Sequence, residues 1–171
     1  GFILLSLSIG SFDSFVSAMF YTLTYVITTI LAFGLLSQIL SNKNPIEEIN
    51  DLGGLAKDNP LVAFMLMVIM LSYIGIPPFL GFHAKLFIIQ SLVISSSIML
   101  SLFAVVMTVI GSYYYLRVIK VMYFDKSNDI ISFNSNHLIT TILVFGLIYL
   151  GLFPNILGEI STYTLKDLFN T

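Results

Sequence analysis

One lysine stands alone in a long apolar part of this chain. Lys85 is the only charged residue between Asp58 and Arg117, and this stretch is long enough to cross a bilayer twice or more. An ammonium group at the centre of a bilayer costs roughly 2.5 to 3.5 kcal/mol on insertion scales, so such a lysine indicates a functional site. The residue type predicts a place on an ion or proton pathway.

A helix break is predicted directly before the lysine. Gly75, Pro77 and Pro78 interrupt the apolar run there. Because Pro77 and Pro78 have no N–H to donate four residues back, the carbonyls of Tyr73 and Ile74 lose their usual helical partners. In lipid such carbonyls each cost several kcal/mol, so another helix or a trapped water must cover them. Broken helices at membrane depth line the cavities through which ions and protons move.

The composition sets the class of protein. Hydrophobic residues make up 57% of the chain and charged residues only 9%, which is typical of an all-α, polytopic membrane protein. The net charge of -2 indicates no nucleic-acid partner, and the absence of cysteine excludes iron–sulfur clusters and thiolate metal sites on this chain. Abundant Phe, Ile and Tyr without Trp is compatible with an AT-biased organelle genome. We therefore expect one membrane domain over residues 1–171.

The apolar runs and polar gaps predict the elements of that domain. They are the end of a transmembrane helix over 1–12, a helix over 14–41, a polar loop over 42–59, a broken helix over 60–95, a helix over 98–124, a loop over 125–136, a helix over 137–153 and an amphipathic tail over 154–171. The first of these spans only about 18 Å as a helix, which is too short to cross a bilayer. Either residues upstream are missing, or the chain is one piece of a longer protein.

Two topologies are open for residues 60–123. By length, three spans of about 20 residues fit, which makes Pro77-Pro78 a surface turn and puts Lys85 near an interface, where its side chain reaches the headgroups. If the segment instead begins with one broken span, the polar loops on either side lie on the same face of the membrane. Five of the seven basic residues then share that face, as the positive-inside rule requires. Length favours the first topology and charge favours the second.

A long motif surrounds the lysine. It consists of Asp51-Leu52-Gly53-Gly54-Leu55, then Pro60, then Leu71-Ser72-Tyr73-Ile74-Gly75-Ile76-Pro77-Pro78-Phe79-Leu80-Gly81-Phe82-His83-Ala84-Lys85. This motif closely resembles the antiporter-like subunits of respiratory complex I and their cation/proton antiporter relatives. The run Tyr113-Tyr114-Tyr115-Leu116-Arg117 resembles the subunit 2 family of NADH:ubiquinone oxidoreductase in particular, whereas the subunit 4 family usually has glutamate at the position of Lys85. The resemblance covers nearly the whole chain, but only the C-terminal part of the family pattern.

The resemblance implies a fold and a function. The fold is the C-terminal part of an antiporter-like inverted repeat with one broken helix, and the function is proton translocation coupled to NADH:ubiquinone electron transfer. Lys85 is implied to bind and release the proton, with His83 as a candidate relay. The helix break is assigned to Gly75, Pro77, Pro78 and Gly81.

The resemblance also implies cofactors on other subunits, partners and a location. FMN, iron–sulfur clusters and ubiquinone are expected on other subunits, so this chain has no redox centre and no cofactor or metal of its own. The expected partners are lipids and the other membrane-arm subunits of complex I, including a chain with the N-terminal half of subunit 2. The expected location is the mitochondrial inner membrane.

Each feature also has an ordinary explanation. Lys85 could be a snorkelling or subunit-contact lysine, and His83 a local hydrogen-bonding residue. The run from Tyr113 to Tyr115, with Arg117 and Lys120, predicts anchoring in the membrane interface or contact with a partner. Two further functions stay open: a subunit of a standalone cation/proton antiporter, and a structural membrane scaffold with an inactive channel.

Overall fold

The chain folds as a bundle of helices with a small sheet at one end. The computed structural model describes residues 1–41, 44–125, 131–133 and 137–169, without the side chains of residues 41, 44, 45, 137, 139 and 168. The helices are α1 (Phe2–Leu7), α2 (Phe12–Leu36), α3 (Leu55–Asp58), α4 (Pro60–Ile74), α5 (Leu80–Ile94), α6 (Ile98–Phe124), α7 (His137–Leu152) and α8 (Asn155–Phe169), with a 3-10 helix over Ile49–Leu52. The strands are β1 (Ile39–Ser41), β2 (Asn44–Pro45) and β3 (Ile131–Phe133), in the sheet order β2-β1-β3.

Two of the described helices, α2 and α6, are each long and apolar enough to cross a membrane. Helices α7 and α8 meet the same criterion together, although they are bent by 79° where they join. Helix α2 begins at a capping box, in which Ser11 and Ser14 each accept the backbone N–H of the other through their hydroxyls. The predicted class, an all-α transmembrane bundle, is confirmed.

Helices α4 and α5 follow one another along α2. At the end of α4 the Tyr73 hydroxyl donates to Thr29 Oγ1 at 2.9 Å, and near the end of α5 the Ser91 and Ser17 hydroxyls lie 3.0 Å apart. Thr29 and Ser17 are separated by about three turns of α2, so the two shorter helices cover successive lengths of the same span. This arrangement matches the broken-span topology, and it puts Lys85 beside the middle of α2.

The two polar loops meet at one end of the bundle. Strand β1 pairs with β3 in antiparallel register, with Leu40 opposite Ser132. Asn59, at the start of α4, donates its side-chain amide to the Ile131 carbonyl at 2.7 Å, and the Ile131 N–H donates to Asp58 at 3.0 Å. Both loops therefore lie on one face, as the charge bias predicts; Lys43 and Lys126 lie outside the described residues.

Several predicted boundaries need correction. The helix predicted over 14–41 begins at Phe12 and ends at Leu36, because the Ser37 hydroxyl and the Gln38 side-chain amide both donate to the Gly34 carbonyl and the next residues enter the sheet. The segment 1–12 is not one helix end, since the chain turns at Gly10, which has a φ of +73°. The predicted loops 42–59 and 125–136 contain short helices and strands: β2 pairs with the neighbouring β1, and β3 pairs with β1 from far along the chain.

Two glycines permit very close approach at the break between α4 and α5. A Cβ on Gly81 would lie 1.9 Å from the Ser72 carbonyl oxygen, and a Cβ on Gly151 of α7 would lie 2.5 Å from the Pro78 carbonyl oxygen. Real Cβ atoms do not approach other atoms so closely. The two half-helices and α7 are thus in backbone contact around the break.

Candidate functional site

The site begins where α4 ends. Gly75 adopts the left-handed conformation with a φ of +86°, which favours glycine. Its N–H donates to the Leu71 and Ser72 carbonyls, and the N–H of Ile76 donates to the Leu71 carbonyl. This pattern closes the helix as a Schellman motif does. It leaves the next two carbonyls, those of Tyr73 and Ile74, without a backbone donor.

Lys85 supplies the missing donor. Its Nζ atom lies 2.8 Å from the Tyr73 carbonyl oxygen and 2.8 Å from the Ile74 carbonyl oxygen. The sequence predicts these two free carbonyls correctly, but it predicts another helix or a water as their hydrogen-bond donor. The lysine covers them instead, because the start of α5 lies close enough to α4 for its second turn to fold back over the break. A charged donor makes each of these bonds about twice as strong as a neutral one.

The glycines of the motif make room for the lysine side chain. A Cβ on Gly75 would lie 3.0 Å from Lys85 Cδ and 3.4 Å from its Nζ. The N–H of Gly81 donates to the Ser72 hydroxyl at 3.2 Å, which holds the start of α5 against α4. Gly75 and Gly81 therefore act in the site through space and backbone conformation, and Pro77 and Pro78 act by ending the helix.

A small cavity lies against the lysine. It is lined by Tyr21, Thr24, Tyr25, Thr28, Ser72, Tyr73, Gly81, Ala84 and Lys85. The space inside it admits about one water molecule. Lys85 is the only charged residue among those that line it, so an ammonium here has hydroxyl and carbonyl oxygens around it but no carboxylate.

A second, larger cavity adjoins the same lysine. It is lined by Phe2, Tyr21, Tyr25, Tyr73, Lys85, Met107, Thr108, Gly111, Ser112 and Tyr115. The Phe2 ring centroid lies 5.9 Å from Lys85 Nζ, within the range of a cation–π contact. Lys85 thus lines both cavities, together with Tyr21, Tyr25 and Tyr73.

The structure does not bring His83 together with Lys85. The His83 ring packs against Phe82 and Phe87, with ring centroids 5.4 Å and 6.4 Å away. Its Nδ1 is buried and has no hydrogen-bond partner among the described residues. His83 lines neither cavity beside the lysine, and its role as a relay stays a prediction.

The tyrosine run divides between the site and the surface. Tyr115 stacks on Tyr73 with ring centroids 5.2 Å apart and lines the larger cavity. Tyr113 and Tyr114 are exposed, 64% and 66% respectively. Arg117 and Lys120 are exposed as well, and Lys120 lies 3.6 Å from Asp125. Four of these five residues therefore face outward, where their predicted contacts with lipid or a partner stay a prediction, whereas Tyr115 is part of the site.

The polar face of α2 is part of the site, but it is not among the site residues predicted from the sequence. The smaller cavity is lined by Tyr21, Thr24, Tyr25 and Thr28 of this helix. Their spacing of i, i+3, i+4 and i+7 marks one face of a helix, which is unusual for hydroxyl groups inside an apolar span. This periodicity is the signal that could have identified them.

The site combines three features. A cationic side chain lies on a broken helix, its Nζ bonds two carbonyls freed at the break, and two cavities adjoin it. In many membrane transport proteins, carbonyls freed at a helix break are binding groups near the bilayer midplane. The fold and the site together define a polytopic membrane bundle with a cationic side chain at a helix break.

Comparison with known proteins specifies the family. Residues 1–111 match the family described as NADH:quinone oxidoreductase/Mrp antiporter, transmembrane. The chain belongs to this family. The match contains α1, α2, the break and Lys85.

Curated relatives carry one name. The chain is 44% identical over 129 residues to NADH-quinone oxidoreductase subunit N of Hydrogenovibrio crunogenus, which covers 75% of this chain and 27% of that protein. It is 37% identical over 168 residues to subunit N of Thioalkalivibrio sulfidiphilus, which covers 95% of this chain and 34% of that protein. The chain thus spans about a third of the length of these relatives. Both relatives are bacterial, so they do not support a mitochondrial location. The chain is a multi-pass membrane protein.

Solved structures agree on the fold. A chain of respiratory complex I from Thermus thermophilus matches with a TM-score of 0.74 and 28% identity, over 92% of this chain and 36% of that one. A chain of the Mrp complex from Dietzia sp. matches with a TM-score of 0.73 and 21% identity, over 94% of this chain and 39% of that one. The second likeness shows the fold alone.

Proposed function

We propose that this chain is part of a proton-translocating membrane-arm subunit of an NADH:quinone oxidoreductase. Lys85 binds and releases the proton. The electron carriers, FMN, iron–sulfur clusters and quinone, lie on other subunits, and the partners of this chain are the other membrane-arm subunits, one segment of which supplies the N-terminal part of the antiporter-like unit. The names of the relatives and the likeness to a complex I chain support this proposal.

One observation carries the proposal. Lys85 Nζ donates to the carbonyls of Tyr73 and Ile74, which the helix break has freed. These bonds offset part of the cost of an ammonium at membrane depth, so the residue can hold a charge there. The two cavities beside Lys85 are the spaces through which a proton reaches and leaves it.

The test is Lys85→Met in the assembled complex. Methionine keeps the length and apolar stem of lysine but has no proton to exchange, so we expect the proton-to-electron ratio and the coupled NADH:quinone turnover to fall. The amount of assembled complex should stay near the wild-type level. Lys166→Met, at an exposed position in α8, is the matched control and should leave both activities unchanged.

A second substitution separates charge from proton exchange. Lys85→Arg keeps the positive charge but does not release a proton at physiological pH. We expect it to be as defective as Lys85→Met. Normal pumping in both variants of a normally assembled complex would overturn the proposal and favour the structural scaffold.

A cation/proton antiporter subunit is the alternative function. The family description names both kinds of protein. Measurement of sodium-dependent proton movement in membrane vesicles without NADH distinguishes the two. The proposed oxidoreductase subunit requires NADH oxidation for proton movement, whereas an antiporter requires only a cation gradient.

Two finer assignments also belong to the proposal. We infer that the chain corresponds to subunit 2, of which subunit N is the bacterial equivalent, because of the motif at Lys85 and the run from Tyr113 to Arg117. The mitochondrial inner membrane stays a prediction from composition and resemblance. Fractionation of the source cells, followed by detection of this chain in mitochondrial or other membranes, tests it.

A further inference from the structure

A buried hydroxyl faces the lysine cavity without a protein partner. Thr24 lies at mid-length of α2 and is 4% exposed. Its Oγ1 has no hydrogen-bond partner among the described residues, and the residue lines the smaller cavity beside Lys85. On the same helix, Thr22 and Thr28 each donate to the carbonyl four residues back, at 2.8 Å and 2.6 Å. The Thr24 hydroxyl is therefore turned toward the cavity rather than toward its own backbone.

The lysine has a free donor in the same cavity. An ammonium group has three N–H donors, and Lys85 uses two of them on the Tyr73 and Ile74 carbonyls. The third has no protein acceptor among the described residues. Ser72 also lines this cavity, and its oxygen accepts from the Gly81 N–H, so its own O–H remains available. Three polar groups thus converge on a space that admits about one water.

We propose that Thr24 Oγ1 binds a water molecule in this cavity and holds it against the third N–H of Lys85. Buried waters typically make about three hydrogen bonds to otherwise unsatisfied groups, and Thr24, Ser72 and Lys85 offer that number. Thr24 is then a positioning residue, which acts on the proton of Lys85 through the water. The inference rests on the proposed function of Lys85.

The water is the first acceptor of the proton that Lys85 releases. When the ammonium releases a proton, one N–H bond breaks and one O–H bond forms on the water, while one of the water's own protons moves on to the next acceptor of the route. The site is left with a neutral amine and an intact water. Without the Thr24 hydroxyl, the water loses one partner and the transfer loses its geometry.

Substitution of Thr24 tests this role in the assembled complex. Thr24→Val keeps the shape of the side chain and removes the hydroxyl, so we expect the rate of proton translocation to fall about tenfold, the effect of one charge-assisted hydrogen bond. Thr24→Ser keeps the hydroxyl and should stay within about twofold of the wild type. Thr22→Val, which removes a hydroxyl bonded to its own backbone, is the matched control and should have no effect on the rate.

The serine variant separates a water site from simple packing. If Thr24 only fills space, serine, which lacks the methyl group, should be the worse substitution and valine the better one, and that order overturns the inference. A normal rate in Thr24→Val together with a loss in Lys85→Met overturns the inference but leaves the proposed function standing. Normal rates in both variants overturn the proposed function.

A direct observation does not depend on activity or on the folding of a variant. In a cryo-electron microscopy map of the wild-type complex that resolves waters, we expect density within hydrogen-bond distance of both Thr24 Oγ1 and Lys85 Nζ. The absence of density between these two atoms, in a map that shows other buried waters, overturns the inference.

Discussion

Two of the breaks between described helices contain proline, and they differ in what bonds the carbonyls there. Between α4 and α5, Pro77 and Pro78 end one helix, and Lys85 takes the freed carbonyls. Between α7 and α8, Pro154 marks a bend of 79°. There the Gly158 N–H donates to the Pro154 carbonyl, and no lysine or arginine side chain of the described residues bonds a carbonyl. Proline lacks an N–H at either place, but among the described residues a charged side chain bonds the freed carbonyls at the first break alone.

The two breaks are in contact. Gly151, which lies just before the bend at Pro154, packs against the backbone of Pro78 and Leu80. The second break can thus support the first one sterically without taking part in its chemistry. The predictions below test this division, from the largest expected effect to the smallest.

Gly81→Ala should have the largest effect, because it acts on the first break directly. The new Cβ would lie 1.9 Å from the Ser72 carbonyl oxygen, and the obstacle is backbone rather than a flexible side chain. We expect a loss of about 3 kcal/mol of stability, at the upper end for overpacking, and little assembled complex on a native gel. Gly34→Ala in α2, where nothing lies within 4 Å, is the control and should assemble normally. Equal assembly of the two variants would show that the half-helices are not in the tight contact described.

Gly151→Ala should have an intermediate effect, because it acts on the contact between the breaks. Its Cβ would lie 2.5 Å from the Pro78 carbonyl oxygen, so we expect a loss of about 2 kcal/mol of stability and a lower midpoint in a thermal melt of the solubilised complex. The proton-to-electron ratio of the complex that remains should be unchanged. A reduced ratio would mean that the second break takes part in function, and the comparison would fail. Gly146→Ala in α7, which meets nothing within 4 Å, is the control.

Tyr73→Phe should have the smallest effect. It removes the 2.9 Å hydrogen bond to Thr29 but keeps the ring that stacks on Tyr115 and the carbonyl that binds Lys85. We expect a loss of about 1 kcal/mol of stability and near-normal proton translocation. The exposed Tyr113→Phe serves as the control. A large loss of pumping would show that the Tyr73 hydroxyl, and not only its backbone, belongs to the site.

The first break was predictable from the sequence because its causes are local. A lone lysine, two prolines and the two carbonyls that they free can all be read within residues 73–85. The donor to those carbonyls was not predictable, because it depends on how closely α5 returns to α4. That approach depends on the lack of a side chain at Gly81, which the motif contains but whose spatial neighbour the sequence does not reveal.

The rest of the site depends on which helix faces meet. The hydroxyl face of α2 is visible as a periodicity around Thr24, but only packing against α4 and α5 makes it the wall of a cavity. Three neighbouring tyrosines of α6 have different environments: Tyr115 packs on Tyr73, whereas Tyr113 and Tyr114 are exposed. The direction in which each side chain leaves the helix axis decides its environment. The early end of α2 at Leu36 likewise depends on β1 pairing with residues far along the chain.

Helix α7 contacts both halves of the broken span. Near its start, the Thr141 hydroxyl contacts Met65 Sδ of α4 at 3.6 Å. Near its end, Gly151 lies against the backbone of Pro78 in the break and of Leu80, the first residue of α5. On another side α2 contacts both halves through Thr29 and Ser17. We therefore expect the interrupted helix to resist bending and to be a stiff element rather than a hinge. Under the proposed function, a proton would then pass the break by movement of a side chain and a water, without bending of the helix.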